Sequence, residues 1–341
     1  MMTSSFRIKS TSRGRVSAGG STGVVLVAMA CNFGIAVSKF AAAAFTGSSA
    51  MLSEAIHSLV DTCNQVLLLF GIKRAARPPD TAHPFGHSRE LYFWSFIVAI
   101  LLFSLGAGVA IYEGFDKIKH PHEIDNAYVL YIVLGVSIVL EGISTWKAVS
   151  AFNATRAPGS GGIVAALKSS KDPTIFAIVL EDVAALVGLV IAFLGITAAN
   201  LGGFAEADGI ASILIGCVLG AVALFLSREI KSLIVGEAAA PEVQAGLASI
   251  FEGDIGLGKP IRRINDIRTM HLGPEDVLVT ASVDFQDYVT AATVESVTAR
   301  LQSAIKSRYP EVKHLFIEVQ SEAAFAKARA VPSPRPSRGE G

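Results

Sequence analysis

The sequence predicts an all-α membrane domain of six spanning helices, followed by a small α+β domain in water. Three observations carry that expectation. The 341 residues are 51% hydrophobic and only 17% charged, whereas about a quarter of a typical soluble domain is charged. The apolar residues gather into six blocks, each near the roughly 20 residues that a spanning helix needs. After Gly236 the blocks stop and short alternating segments replace them. Lys plus Arg and Asp plus Glu both number 29, so no global basic field for nucleic acid is expected.

In chain order, residues 1–19 form an arm, 20–236 the membrane domain, 237–322 the second domain and 323–341 a disordered tail. The predicted spans cover 21–46, 49–73, 88–115, 127–152, 173–199 and 206–232. The first block is too long for a signal peptide and no small-residue cleavage site follows it. Short cytoplasmic loops are enriched in Lys and Arg. Arg7, Lys9, Arg13 and Arg15 precede the first span. Lys73, Arg74, Arg77 and Arg89 lie between the second and third, and Lys147, Arg156, Lys168 and Lys171 around the fourth-to-fifth loop, Pro158–Gly162 being its flexible part. The opposite loops hold only Lys117 and Lys119. Both termini are therefore expected in the cytoplasm, with the chain in a bacterial inner (cell) membrane.

The second domain reads as a short helix, strands at 262–271 and 276–286, a helix at 291–308 and a strand at 313–320. Alternation from Val277 to Val283 and the Gly273-Pro274 turn mark a hairpin. The tail ends in a Pro- and Ser-rich run, Pro332 to Arg338. Cys31, Cys63 and Cys217 sit singly in apolar blocks, which suggests buried reduced thiols rather than a disulfide framework or a zinc cluster.

Ionisable groups at membrane depth are costly, so each is a candidate for function. In the second span His57 and Asp61 are four residues apart and share one helix face, which Asn64 and Gln65 extend. Imidazole with carboxylate suits zinc; the plainer reading is a His–Asp hydrogen bond that ties helices together. In the fifth span Glu181 and Asp182 are adjacent and point about 100° apart, so one of them is expected to face a site fully, unless it pairs with a lysine such as Lys39. Glu141 of the fourth span is a further candidate. Glu54 and Lys39 read equally as a structural pair or as helix-end groups.

The run Gly47 to Asp61, with Ser53-Glu54-Ala55-Ile56-His57-Ser58-Leu59-Val60-Asp61 at its centre, resembles the second helix of the cation diffusion facilitators. Asp80-Thr81-Ala82-His83-Pro84-Phe85-Gly86-His87-Ser88-Arg89-Glu90 is similar to that family's loop before the third helix, and Asp266 to Pro274 to the opening of its cytoplasmic domain. The likeness covers about residues 20–321. Asp61-Thr62-Cys63-Asn64-Gln65 and Leu180-Glu181-Asp182 resemble the zinc transporter 9 branch most.

The resemblance implies a homodimeric divalent metal/proton antiporter, with a ferredoxin-like cytoplasmic domain after its six spans. Zinc is the implied cargo and protons the counter-ion. It implies a tetrahedral site with two ligands from the second helix, His57 and Asp61, and two from the fifth, Asp182 and the residue four before it. That residue is Ile178, which cannot ligate, so Glu181, Glu141 or water would complete the shell. Asp80, His83 and His87 match a second family site; the plainer reading is a solvated loop that caps the third helix. Where the family carries cytoplasmic histidines, this chain has Asn265, Glu295, Glu318 and Gln320, leaving His271 and His314 as expected surface residues; His120 and His122, in the outer loop, read as structural or at best weakly metal-attracting. No enzyme is expected: an intramembrane metallohydrolase would want a His-Glu-x-x-His helix, which is absent. Rival readings are a manganese, iron or cobalt transporter, which the imidazole of His57 disfavours, and a metal-sensing scaffold, which Ile178 favours.

Overall fold

The structure, a computed structural model, describes residues 18–120, 127–155 and 171–330. The basic residues of the arm, Arg156, Lys168, the Pro158–Gly162 loop, His122 and the end of the tail lie outside the described residues.

Six long helices follow the six apolar blocks: α1 (Ala18–Thr46), α2 (Ser49–Ala75), α3 (Glu90–Lys119), α4 (Ala127–Thr155), α5 (Pro173–Gly202) and α6 (Ala207–Val235). Five of them, α2 to α6, are long and apolar enough to cross a membrane among the described residues. Local chemistry sets their ends. Gly47 turns the chain from α1 into α2 with φ 66°, a left-handed conformation that a side chain disfavours. Ser48 caps α2 by accepting from Met51 N, and the buried Asp208 of α6 accepts from Ser48 Oγ and Ser49 N. Asp172 caps α5 and Pro173 opens it. Within α3, Leu102–Ala107 forms a π-helical turn.

Helix α2 packs against α1, α3, α5 and α6, while α4 packs on α1 and α5. The polar face of α2 is thus enclosed by protein. By contrast Tyr128, Ile132, Val136, Val139, Ile143 and Trp146 of α4 recur every three or four residues and are exposed, which gives α4 an apolar face suited to lipid. The thiols of Cys63 and Cys217 are also exposed, not buried. On a membrane domain an outward thiol still meets an apolar solvent, so the apolar blocks around them were no guide to burial.

The second region has α7 (Pro241–Glu252), β1 (Ile261–Gly273), β2 (Asp276–Phe285), α8 (Ala291–Arg308) and β3 (Val312–Val319). The sheet order is β1-β2-β3, the first pair antiparallel and the second parallel. Val277, Val279, Ala281, Val283 and Phe285 alternate onto one buried face, against Leu247 and Phe251 of α7 and Val297, Leu301 and Ile305 of α8. The expected tail begins with a helix instead, α9 (Glu322–Ala330). Its Glu-Ala-Ala-Phe-Ala-Lys-Ala-Arg-Ala sequence is rich in strong helix formers, with Glu322 first and Lys327 and Arg329 last, as the helix dipole favours.

Candidate metal centre

His57 is fully buried, and its Nε2 lies 3.5 Å from Asp61 Oδ2. Neither ring nitrogen has a hydrogen-bond partner, so the simple His–Asp tie is not formed. Asp61 Oδ1, Asn64 Oδ1 and Gln65 Oε1 are buried without a partner as well. Buried polar atoms are nearly always satisfied. Here three oxygen acceptors and an imidazole lack partners over about two turns of one helix, a set of donor atoms able to hold a cation.

The two adjacent acids of α5 part company. Glu181 is buried and accepts from Asn64 Nδ2 at 3.0 Å, so it faces α2. Asp182 turns to α4, where its Oδ2 accepts from Ser144 Oγ at 3.0 Å. Half-buried Ile178 lies one turn before Asp182. Glu141 is buried on α4, and Asp61 lies within electrostatic reach of Glu181, Glu141 and Asp182. Lys39 takes neither α5 acid. Its Nζ donates to Glu54 Oε2 at 3.1 Å and Ser58 Oγ at 2.8 Å, all of it buried, so the Lys39–Glu54 pair suggested by the sequence is present. Sequence reasoning missed the Asn64–Glu181 bond and the role of Ser144; only polar residues in apolar runs signalled them.

The loop between α2 and α3 brings one donor atom each of Asp80, His83 and His87 within 4.8 Å of one another, the one such trio among the described residues. Asp80 Oδ1 accepts from the backbone N–H of Ala82 at 2.9 Å and of His83 at 2.6 Å, and His87 Nε2 sits 3.1 Å from Oδ2. These bonds, the His83 N–H foremost, hold the Asp80 carboxyl down at about 2. His83 is exposed while His87 is nearly buried. The loop also caps α3, since Glu90 N donates to His87 O, so the plainer reading and the metal-binding geometry coexist.

The histidines of the second domain differ from expectation. His271 is buried, with Nδ1 3.0 Å from Gly273 O, because β1 runs on past it into the hairpin. His314 is part-buried and meets the Phe85 ring edge-on at 5.1 Å between centroids. Asn265 donates to Gln320 O at 2.8 Å, so two of the positions without histidine share an amide contact.

The description "Cation efflux transmembrane domain" matches residues 25–235, more than half of the chain. The chain belongs to the cation efflux family. Among its relatives, the human "Proton-coupled zinc antiporter SLC30A9, mitochondrial" is 31% identical over 333 residues, covering 87% of this chain and 58% of the relative. "Metal tolerance protein C4" of Arabidopsis thaliana is 30% identical over 279 residues, 82% of this chain and 60% of that one. "Manganese efflux system protein MneP" of Bacillus subtilis is 24% identical over 301 residues, 87% and 94%. The chain spans less than two thirds of the first two. The likeness to the SLC30A9 proteins bears out the branch read from the second- and fifth-helix motifs.

Proposed function

We propose that this protein carries a divalent metal ion, zinc in the first place, across a membrane in exchange for protons. The observation that carries the reading is the buried, partnerless imidazole of His57 beside Asp61, on the enclosed face of a helix in a cation efflux domain. His57 and Asp61 supply two ligands. Helix α5 supplies the rest through Glu181, which already faces α2, and Asp182, with Glu141 in reserve on α4. Ligation requires neutral imidazole and ionised carboxylate, so metal and protons compete for the same atoms. A site that holds one or the other, and opens to each side in turn, couples the two fluxes.

The same reading takes α1 as the sixth span and the β1-β2-β3 sheet with α7 and α8 as a ferredoxin-like cytoplasmic domain. It places both termini on the cytoplasmic side and the chain in a homodimer, as family membership and the basic loops support. The named manganese relative supports a second cargo. Imidazole favours borderline zinc over the harder manganese, which prefers oxygen ligands. Zinc uptake into sealed proteoliposomes with an internal pH dye tests the exchange: zinc entry should expel protons, and zinc flux without proton movement would sink it. In competition assays His57→Asp should raise manganese over zinc transport by about tenfold, a shift of roughly 1.4 kcal/mol; an unchanged ratio would remove His57 from selectivity.

A further inference from the structure

We propose that Lys39 is a resident counter-charge of the metal site, an affinity-setting positioning residue that weakens the hold on the dication so that it can leave. The proposal rests on the reading of His57 and Asp61 as ligands. Lys39 Nζ is fully buried and bridges Glu54 and Ser58, which stand three residues before and one residue after His57. Its ammonium lies within electrostatic reach of His57, Asp61 and Glu141. Glu54, Ser58 and Asp61 form one stripe of α2, so the ion pair and the candidate ligand occupy successive turns.

Glu54 is held on both sides. Lys39 takes Oε2, while Oε1 is buried without a hydrogen bond and is pressed against Gly188 of α5. A Cβ at Gly188 would collide with that oxygen, so glycine there lets the carboxylate sit between α2 and α5. Ala177, Glu181, Ala184 and Gly188 form one buried stripe of α5, and the same stripe therefore carries the acid that reaches Asn64. One fixed cation from α1 thus stands within reach of acids from α2 and α4. In a low-dielectric interior such a charge acts over several ångströms. Glu54 and Ser58 together fix the position of the Lys39 ammonium.

A mere staple between α1 and α2 makes a different prediction. If the pair only ties helices, losing either partner lowers the yield of folded protein and leaves the zinc affinity of the folded fraction alone. If it sets the field at the site, the two single variants act in opposite directions. Full-length protein in detergent is titrated with zinc by calorimetry, and its zinc transport is measured in proteoliposomes. Lys39→Met, which removes the cation, should tighten zinc binding by about tenfold and slow turnover. Glu54→Gln, which removes the acid that faces it, should weaken binding by about tenfold. The double variant should return close to the parent affinity, and Lys39→Arg should match the parent. Equal or same-direction shifts in the two single variants, or no shift, overturn the proposal. Should Lys39→Met fail to fold, Glu54→Gln and the double variant still decide it through their relative affinities. His57→Ala provides the separate control: unchanged zinc binding there would refute the site itself, whereas lost binding there with inert Lys39 and Glu54 variants refutes only this inference.

Discussion

The face of α2 and the loop that follows it both gather histidine and aspartate, yet they differ in how those groups are satisfied. In the loop, Asp80 accepts from two backbone N–H groups and lies beside His87, and half of its side chain is in water. In the membrane domain His57 and Asp61 Oδ1 are buried without a hydrogen bond, and the nearest charged contact of the ring is Asp61 Oδ2 at 3.5 Å. Water and backbone make the loop trio cheap to assemble without an ion. The buried face is shielded from solvent and has no backbone donor at these atoms, so its free energy depends more steeply on what binds. A transport site and an accessory site are expected to differ in this way, because only the first must gain and lose its ion in every cycle.

The largest expected effect breaks that comparison if it is wrong. His57→Ala or Asp61→Ala should each cut zinc flux in proteoliposomes by about 100-fold or more, beyond the 10- to 100-fold typical of losing a supporting partner. Folded protein should survive, since neither side chain holds a hydrogen bond that the fold uses. Near-normal flux in either variant would mean that the partnerless atoms are not the ion's ligands.

Next comes the acid from α5. Glu181→Gln keeps the shape and the contact with Asn64 but removes the charge, and should lower zinc flux by about tenfold or more. Asp182→Asn, at the position where the family resemblance puts the ligand, should be at least as damaging only if α5 rotates during transport. The two variants measured side by side show which acid reaches the ion. Flux unaffected in both would confine the site to α2.

The loop should answer more weakly. His83→Ala should change the apparent zinc affinity of transport by about 2- to 5-fold, the scale of interactions between exposed charged groups, and leave maximal turnover unchanged. A loss as deep as that of His57→Ala would make the loop an obligatory station, and the distinction between the two regions would fall.

Much of this layout was legible in the sequence, for identifiable reasons. Spanning helices announce themselves by length and hydropathy, and α2 to α6 follow the predicted blocks with ends set by residues such as Ser48 and Asp172. His57 and Asp61 were legible because helical periodicity fixes an i, i+4 pair before any packing is known. The rotation of α5 was not, since two adjacent acids leave its facing undecided until Asn64 and Ser144 choose between them. Nor did hydropathy show on which side Cys63 and Cys217 would lie, because lipid and core are alike to it. The helix at Glu322–Ala330 was hidden behind the Pro-rich run that follows it.

The smallest effect concerns His271, which separates burial from the lack of a partner. It is buried as His57 is, but its Nδ1 meets Gly273 O and its backbone N donates to Glu237 O. If missing partners rather than burial mark a metal site, His271→Gln should leave zinc flux within about a factor of 2, as for substitutions outside a site. Its effect should instead appear as a pH dependence of local stability. Burial, which disfavours imidazolium, holds His271 below its ordinary value of 6.5. The unfolded chain then binds the extra proton more readily than the folded one, so the contribution is complete above about pH 6.5 and is lost as pH falls towards the depressed folded value. Hydrogen exchange of the β1 amides in the full-length protein, corrected for intrinsic rates, should therefore show less protection at about pH 5.5 than at about pH 7.5. In His271→Gln that difference should shrink. Equal shrinkage with a large loss of zinc flux would give His271 a role in transport, and burial alone would then mark the histidines that matter.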